Sequence, residues 1–234
     1  MTTRRRFLTL TLGASAGAIA LGGLAGCTQM DESPVLKANH LVDASVATVE
    51  RFETIEGLQK FASYLPSAVA VGIFPSVFKA GFFVGGEGGN GIIMARQAGG
   101  KWSAPAFYTM GAGSFGVQFG AQDTEIILII RNKGALDAIL KDQAKIGADA
   151  GITAGIYGLG AEASTTTNLK LDVLAFANAK IGAYAGASVE GAVLARRQDI
   201  NEAVYGKGMT PARIVSDPNV RLARAQHLQN LLAK

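Results

Sequence analysis

The chain has 234 residues, 49% hydrophobic and only 17% charged, and its 22 Lys+Arg against 18 Asp+Glu give a formal charge of +4. Three of those charges are Arg4, Arg5 and Arg6; residues 27–234 set 19 basic against 18 acidic side chains, so the body lacks the basic excess of a nucleic-acid binder. A single cysteine excludes an internal disulfide framework and a Cys-based zinc site, and two histidines, His40 and His227, leave little for a metal or catalytic cluster.

Residues 1–26 run in the order of an export signal peptide. A cationic start at Arg4–Arg6 precedes an apolar stretch from Phe7 to Leu24, rich in Leu, Ala and Gly. Leu24-Ala25-Gly26-Cys27 closes it and resembles the lipobox of bacterial lipoproteins. That resemblance implies a diacylglyceryl group on the Cys27 thiol, cleavage before Cys27 and acylation of the new amino terminus. Two or three acyl chains hold a protein stably on a membrane, where one is marginal. An uncleaved spanning helix fits the short, glycine-rich run less well. Thr3-Arg4-Arg5-Arg6-Phe7-Leu8 also resembles a twin-arginine signal. The same arginines serve equally as the charged start of a general export signal, and both routes stay open. Thr28, not an acidic residue, follows Cys27, which by the sorting rule of enteric-type lipoproteins implies the outer membrane, facing the periplasm.

Residues 27–38 form a polar stretch with Asp31, Glu32, Ser33 and Pro34, and are expected to act as a tether. From about Asn39 to Tyr64, Val42, Val46, Val49, Phe52, Ile55, Leu58 and Phe61 recur at helical spacing with charges between them. The spacing predicts one long amphipathic helix, or two with a break near Gly57, ended by Pro66. Short runs of β-branched and aromatic residues follow. They predict strands at Ala68–Phe74, Gly81–Val84, Gly91–Arg96, Ala106–Met110, Phe115–Ala121 and Thr124–Arg131, with Gly85–Asn90 as a turn. Asn132 is placed to cap a short helix over Gly134–Gln143. Strict alternation then predicts two strands, one from Ile146 to Ile156 and one from Ile181 to Ala195, whose Gly and Ala content suggests tight curvature. Thr210-Pro211 and Asp217-Pro218 each supply an N-cap and a first-position proline, so the C-terminus is expected to be helical. The predicted class is α+β: a large, curved, mostly antiparallel or barrel-like sheet rich in Gly and Ala, with amphipathic helices at both ends. Residues 39–234 contain no charge-rich linker and fit one domain.

Two stretches match the glycine spacing of dinucleotide folds, Gly86-Glu87-Gly88-Gly89-Asn90-Gly91 and Gly111-Ala112-Gly113-Ser114-Phe115-Gly116. That chemistry needs a helix opening after the glycines. Here Ile92-Ile93-Met94 and Val117-Gln118-Phe119 follow, which are strand residues, so the glycines read as turns or bulges. Glu87, Asp123, Glu125, Glu162, Asp172 and Glu190 are scattered without paired spacing, so no enzyme is expected and no cofactor is implied. Trp102 is read as a core or hairpin aromatic.

A longer pattern resembles a known family. It comprises Phe78-Lys79-Ala80-Gly81-Phe82-Phe83, Gly88-Gly89-Asn90-Gly91-Ile92-Ile93-Met94-Ala95-Arg96 and Lys101-Trp102-Ser103-Ala104-Pro105. Gly113-Ser114-Phe115-Gly116-Val117-Gln118-Phe119-Gly120-Ala121, Gly186-Ala187-Ser188-Val189-Glu190-Gly191 and Thr210-Pro211-Ala212-Arg213-Ile214 complete it. Over roughly residues 50–216 the chain resembles the SYLF domain, an actin-regulator and phosphoinositide-binding module of eukaryotes that also occurs in bacterial lipoproteins. The resemblance implies a non-enzymatic domain with a lipid ligand, attached to the membrane through Cys27. Lys79, Arg96, Arg196 and Arg197 are the candidate headgroup contacts. The helix over residues 37–64 departs from the basic membrane segment of the eukaryotic proteins, because Lys37, Arg51 and Lys60 face Asp43, Glu50, Glu53 and Glu56. A lipoprotein that acts through protein contacts, with no small ligand, is the alternative.

Overall fold

The structure, a computed structural model, describes residues 32–81, 84–115, 120–141, 143–146, 154–158, 171–181 and 191–233. Residues 1–31, with the expected leader, Cys27 and the first residues of the expected tether, lie outside the described residues, as do 147–153 and 182–190 of the two alternating segments.

Helix α1 (Pro34–Thr54) opens the compact unit that spans Glu32–Lys234. The Ser33 hydroxyl accepts from the Leu36 N–H at 3.3 Å, and Pro34 takes the first helical position, where a missing N–H costs nothing. The helix therefore begins ahead of Asn39, because the Ser-Pro pair that looks like tether is also a helix start. Ala38, Val42, Ser45, Val49 and Phe52 form its buried stripe. It ends at Thr54, Gly57 turns the chain at φ 83°, and 3-10 turns at Leu58–Lys60 and Leu65–Ser67 flank α2 (Phe61–Tyr64). The break near Gly57 and the stop at Pro66 follow the sequence expectation.

The strands are β1 (Ala70–Gly81), β2 (Val84–Ala95), β3 (Ala106–Phe115), β4 (Gly120–Ile130), β5 (Gln143–Lys145), β6 (Ala154–Gly158), β7 (Val173–Ile181) and β8 (Val193–Arg196). They form one curled sheet in the order β5-β8-β3-β2-β1-β4-β7-β6. All neighbours are antiparallel except β6 and β7, which run parallel. The expected α+β class with a mostly antiparallel curved sheet is what forms.

Several elements differ from the sequence reading. Ala68–Phe74 does not end at Pro75 but continues as β1 to Gly81, and the predicted turn Gly85–Asn90 lies inside β2. Strand β7 was not anticipated, because alternating Ala175, Ala177 and Ala179 have weak strand preference and form a strand only between β4 and β6. Asp217-Pro218 is a turn, not a helix start: Asp217 Oδ1 accepts from the Asn219 N–H at 2.8 Å. The C-terminal helices are α4 (Gln198–Tyr205), α5 (Pro211–Ser216) and α6 (Gln226–Leu232), and α3 (Lys133–Ile139) carries the expected Asn132 cap, 2.7 Å from the Gly134 N–H.

Both faces of the sheet are covered. On one, α1, α2, α4 and α6 pack on Val71, Ile73, Ile92, Ile127 and Phe176. On the other, α3 and α5 pack on Phe74, Ile93, Tyr108, Ile126 and Leu128. The unbroken apolar run Ile126–Ile130 reflects this double burial, since alternate residues serve opposite cores.

Candidate functional site

The covering is one-ended. Ala70–Phe74, Gly91–Ala95, Ala106–Tyr108 and Thr124–Ile130 are buried, whereas Ser76, Phe78, Gly86 and Gly88 further along the same strands are exposed. The change occurs at a bulge. The pairing of β1 with β4 shifts between Phe74 and Val77, and with β2 between Ile73 and Phe78. Pro75 sits there because it has no N–H to give the ladder. Its carbonyl accepts from Lys180 Nζ at 2.9 Å instead. The glycines opposite are the room the bulge needs. A Cβ on Gly89 would lie 2.0 Å from the Ser76 carbonyl oxygen, and one on Gly91 would lie 2.4 Å from the Ile73 carbonyl oxygen and the Phe74 ring. The first glycine motif is therefore a strand shaped around a bulge, with no helix after it. In the second, Gly111–Phe115 belongs to β3, and Gly116 lies outside the described residues.

Past the bulge the sheet becomes polar. On the α1 side, Ser76 Oγ donates to Asp123 Oδ1 at 2.6 Å, and Lys180 Nζ lies 2.8 Å from Asp123 Oδ2. Phe78, opposite Asp123 in register, keeps 50% of its surface in solvent. On the other side, Lys79 and Glu87 stand opposite each other on β1 and β2, 3.9 Å apart, and burial pushes the Glu87 carboxyl above its usual value while Lys79 opposes that shift.

One position nearer the closed end lies a buried carboxylate that sequence reasoning noted only as a scattered acid. Glu125 is 2% exposed. Thr48 of α1 donates to its Oε1 at 3.0 Å, Asn178 of β7 donates to its Oε2 at 2.9 Å, and Arg51 Nη1 lies 3.4 Å from Oε1. These partners tie α1 to the sheet. The signal was present as Thr48 and Ser45 among the inward positions of α1, and as an acid at the head of an apolar strand.

The four candidate headgroup residues do not converge. Arg96 lies at the opposite end of the β1–β2 pair from Lys79, and ten residues of strand at ~3.3 Å each separate Lys79 from Val69, whose carbonyl the Arg96 N–H meets. Arg96 donates to the carbonyls of Ala68 (3.1 Å), Gly100 (2.9 Å) and Leu65 (2.7 Å), and its guanidinium lies 4.3 Å above the Trp102 ring. Trp102 in turn donates to the Leu232 carbonyl at 2.9 Å, which makes it the core hairpin aromatic expected. Arg197 bridges Asn90 (2.6 Å) and Asp199 (2.9 Å and 2.7 Å), and Arg196 pairs with Tyr108 in the β8–β3 register.

Next to them, Asn201 completes the edge of β3: its side-chain oxygen accepts from the Phe107 N–H at 2.8 Å and its amide donates to the Phe107 carbonyl at 3.1 Å. Among the described residues α1 meets the C-terminal segment, with His227 3.4 Å from Glu50 and Arg224 paired to Asp43, and His40 lies 2.6 Å from Glu32. Among the described residues no group of three or more His, Cys, Asp or Glu is placed to hold a metal, and no helix is long and apolar enough to cross a membrane.

Residues 111–234 match the family model described as Ysc84, Las17-binding protein actin regulator. An SH3 domain-containing protein of Schizosaccharomyces pombe is 33% identical over 162 residues, 68% of this chain and 38% of its own. LAS seventeen-binding protein 3 of Saccharomyces cerevisiae is 32% identical over 143 residues, 60% of this chain and 31% of its own. The SH3 domain-containing YSC84-like protein 1 of Homo sapiens is 29% identical over 158 residues, 67% of this chain and 46% of its own. The chain thus spans less than half the length of these relatives. With more than half of its residues inside the family model, the chain belongs to the Ysc84 family, the family of the SYLF domain.

Proposed function

We propose that this chain is an envelope lipoprotein whose SYLF domain binds lipid and performs no catalysis. It is exported by residues 1–26, anchored through acylated Cys27 and held on the outer membrane, facing the periplasm. The observation that carries the reading is the order of parts: Leu24-Ala25-Gly26-Cys27, which resembles a lipobox, precedes a compact unit that begins at Glu32. Lipid binding draws its support from the open end of the sheet, where an exposed Phe78 shares the α1-side face with the partly exposed Lys180, and the partly exposed Lys79 stands on the opposite face. Lys79 is the headgroup candidate there; Arg96 and Arg197 act in this reading as clamps within the fold. Replacing Cys27 with Ser is expected to lower the share of the protein in the membrane fraction and raise that in the soluble fraction. Native mass spectrometry of protein from its own host is expected to retain a phospholipid, and the Cys27→Ser chain is expected to float with anionic vesicles. Absence of both lipid and flotation defeats the lipid reading.

The name of the yeast relative, LAS seventeen-binding protein 3, favours a second reading, in which the domain works through a protein partner. A protein rather than a lipid retained in the same mass spectra is the outcome that selects it.

A further inference from the structure

Among the described residues the exposed large hydrophobic side chains are Phe78 and two neighbours in the first turn of α1, Val35 (46%) and Leu36 (45%). Val35 continues the inward stripe of Ala38, Val42 and Ser45 past the point where the core covers it. Leu36 lies on the outer side, one turn ahead of His40. Most other exposed positions of the helix are charged or polar. Asp43 pairs with Arg224, Glu50 with His227 and Arg51 with the buried Glu125, so the outer face is charged and hydrated. An apolar first turn on an otherwise polar helix face is surface without a partner among the described residues.

The length of the preceding chain says what lies close to it. Six residue steps separate Cys27 from Ser33, and a chain extended to ~3.6 Å per residue spans at most about 22 Å. If Cys27 is acylated, α1 can leave the headgroup layer by no more than that. We infer that Val35 and Leu36 are a second membrane contact, dipping into the bilayer that holds Cys27 and standing α1 with its first turn towards the lipid. The inference rests on the acylation of Cys27 proposed above. The contact converts a flexible attachment into an oriented one: the tether holds the apolar turn at high local concentration near the surface, so a small apolar area suffices. The acidic and paired outer face of α1 disfavours the helix lying flat.

The test uses the full acylated protein reconstituted in phosphatidylcholine vesicles with brominated acyl chains, which quench nearby tryptophan. Leu36→Trp places a reporter at the apolar turn, and Thr54→Trp places one at the far, exposed end of α1, about 27 Å away along the axis at 1.5 Å per residue. The emission added by Leu36→Trp is expected to lose most of its intensity in brominated vesicles, and that added by Thr54→Trp to lose little. No quenching at Leu36, or equal quenching at both positions, overturns the contact. The mass of the intact protein and the membrane release of Cys27→Ser report acylation separately. Acylated protein with an unquenched Leu36→Trp reporter leaves the anchor standing and removes only the oriented contact; protein without acyl chains removes both.

Discussion

The two ends of strands β1 to β4 share one hydrogen-bonded ladder but differ in what covers them. At the Ala70, Ala95 and Ile130 end, both faces lie under helices, and Ile126 to Ile130 serve two cores in turn. At the Phe78, Gly88 and Asp123 end the α1-side face is bare enough to leave Phe78 half exposed. The face under α1 shows the transition along β4: apolar Ile129 and Ile127, then the buried and triply partnered Glu125, then Asp123 with Ser76 and Lys180. The Pro75 bulge marks the divide. Burial at one end supplies the stability that allows the other to keep polar and glycine-rich strands, which could not drive folding themselves.

Substitutions matched across the divide test this division. Phe176→Ala in the closed end is expected to lower unfolding free energy by about 3–5 kcal/mol in chemical denaturation, since it empties a fully buried ring site. Phe78→Ala should cost under about 0.5 kcal/mol, and equal losses would refute the division. At the bulge, Gly91→Ala forces a methyl against backbone and the Phe74 ring and is expected to cost about 2–3 kcal/mol, by the same measurement. Gly86, whose Cβ would meet nothing within 4 Å, should accept alanine within about 0.5 kcal/mol.

Asn178→Ala takes one donor from the buried Glu125 carboxylate and should cost about 1–3 kcal/mol, whereas Asp123→Asn in the solvated cluster should cost less than about 1 kcal/mol. A pH-dependent effect belongs to the border, where Arg197 holds the Asp199 carboxyl below its ordinary range. A lowered carboxylate stabilises the fold above its unfolded value, and that contribution disappears as pH falls through the folded one. Asp199→Asn is thus expected to cost under about 1 kcal/mol at neutral pH and nothing in strong acid, as thermal melts from pH 7 to pH 2 would record.

Much of the fold was legible in local patterns. The inward stripe of α1, the stop at Pro66, the Asn132 cap and the Ile126–Ile130 strand all follow from periodicity and capping chemistry. Gly85–Asn90 was not, because glycines in sequence look alike whether they turn a chain or make space for another strand. The candidate site was less legible still. Lys79, Arg96, Arg196 and Arg197 share a charge in the sequence, but Arg96 is engaged by three carbonyls and Arg197 by Asn90 and Asp199. Thr48, Glu125 and Asn178 meet only after α1, β4 and β7 are stacked.

What the sequence determined by itself was whatever depends on neighbours along the chain: the family pattern, the α+β class, the helix caps and the separation of three N-terminal arginines from a near-neutral body. Tertiary structure decided which end of the sheet is closed, why glycines stand opposite Pro75, and which charged side chains are already engaged. Those properties depend on atoms brought together from residues tens of positions apart, such as Ser76 beside Asp123 or Trp102 beneath Leu232, and burial and hydrogen bonding act on distance in space.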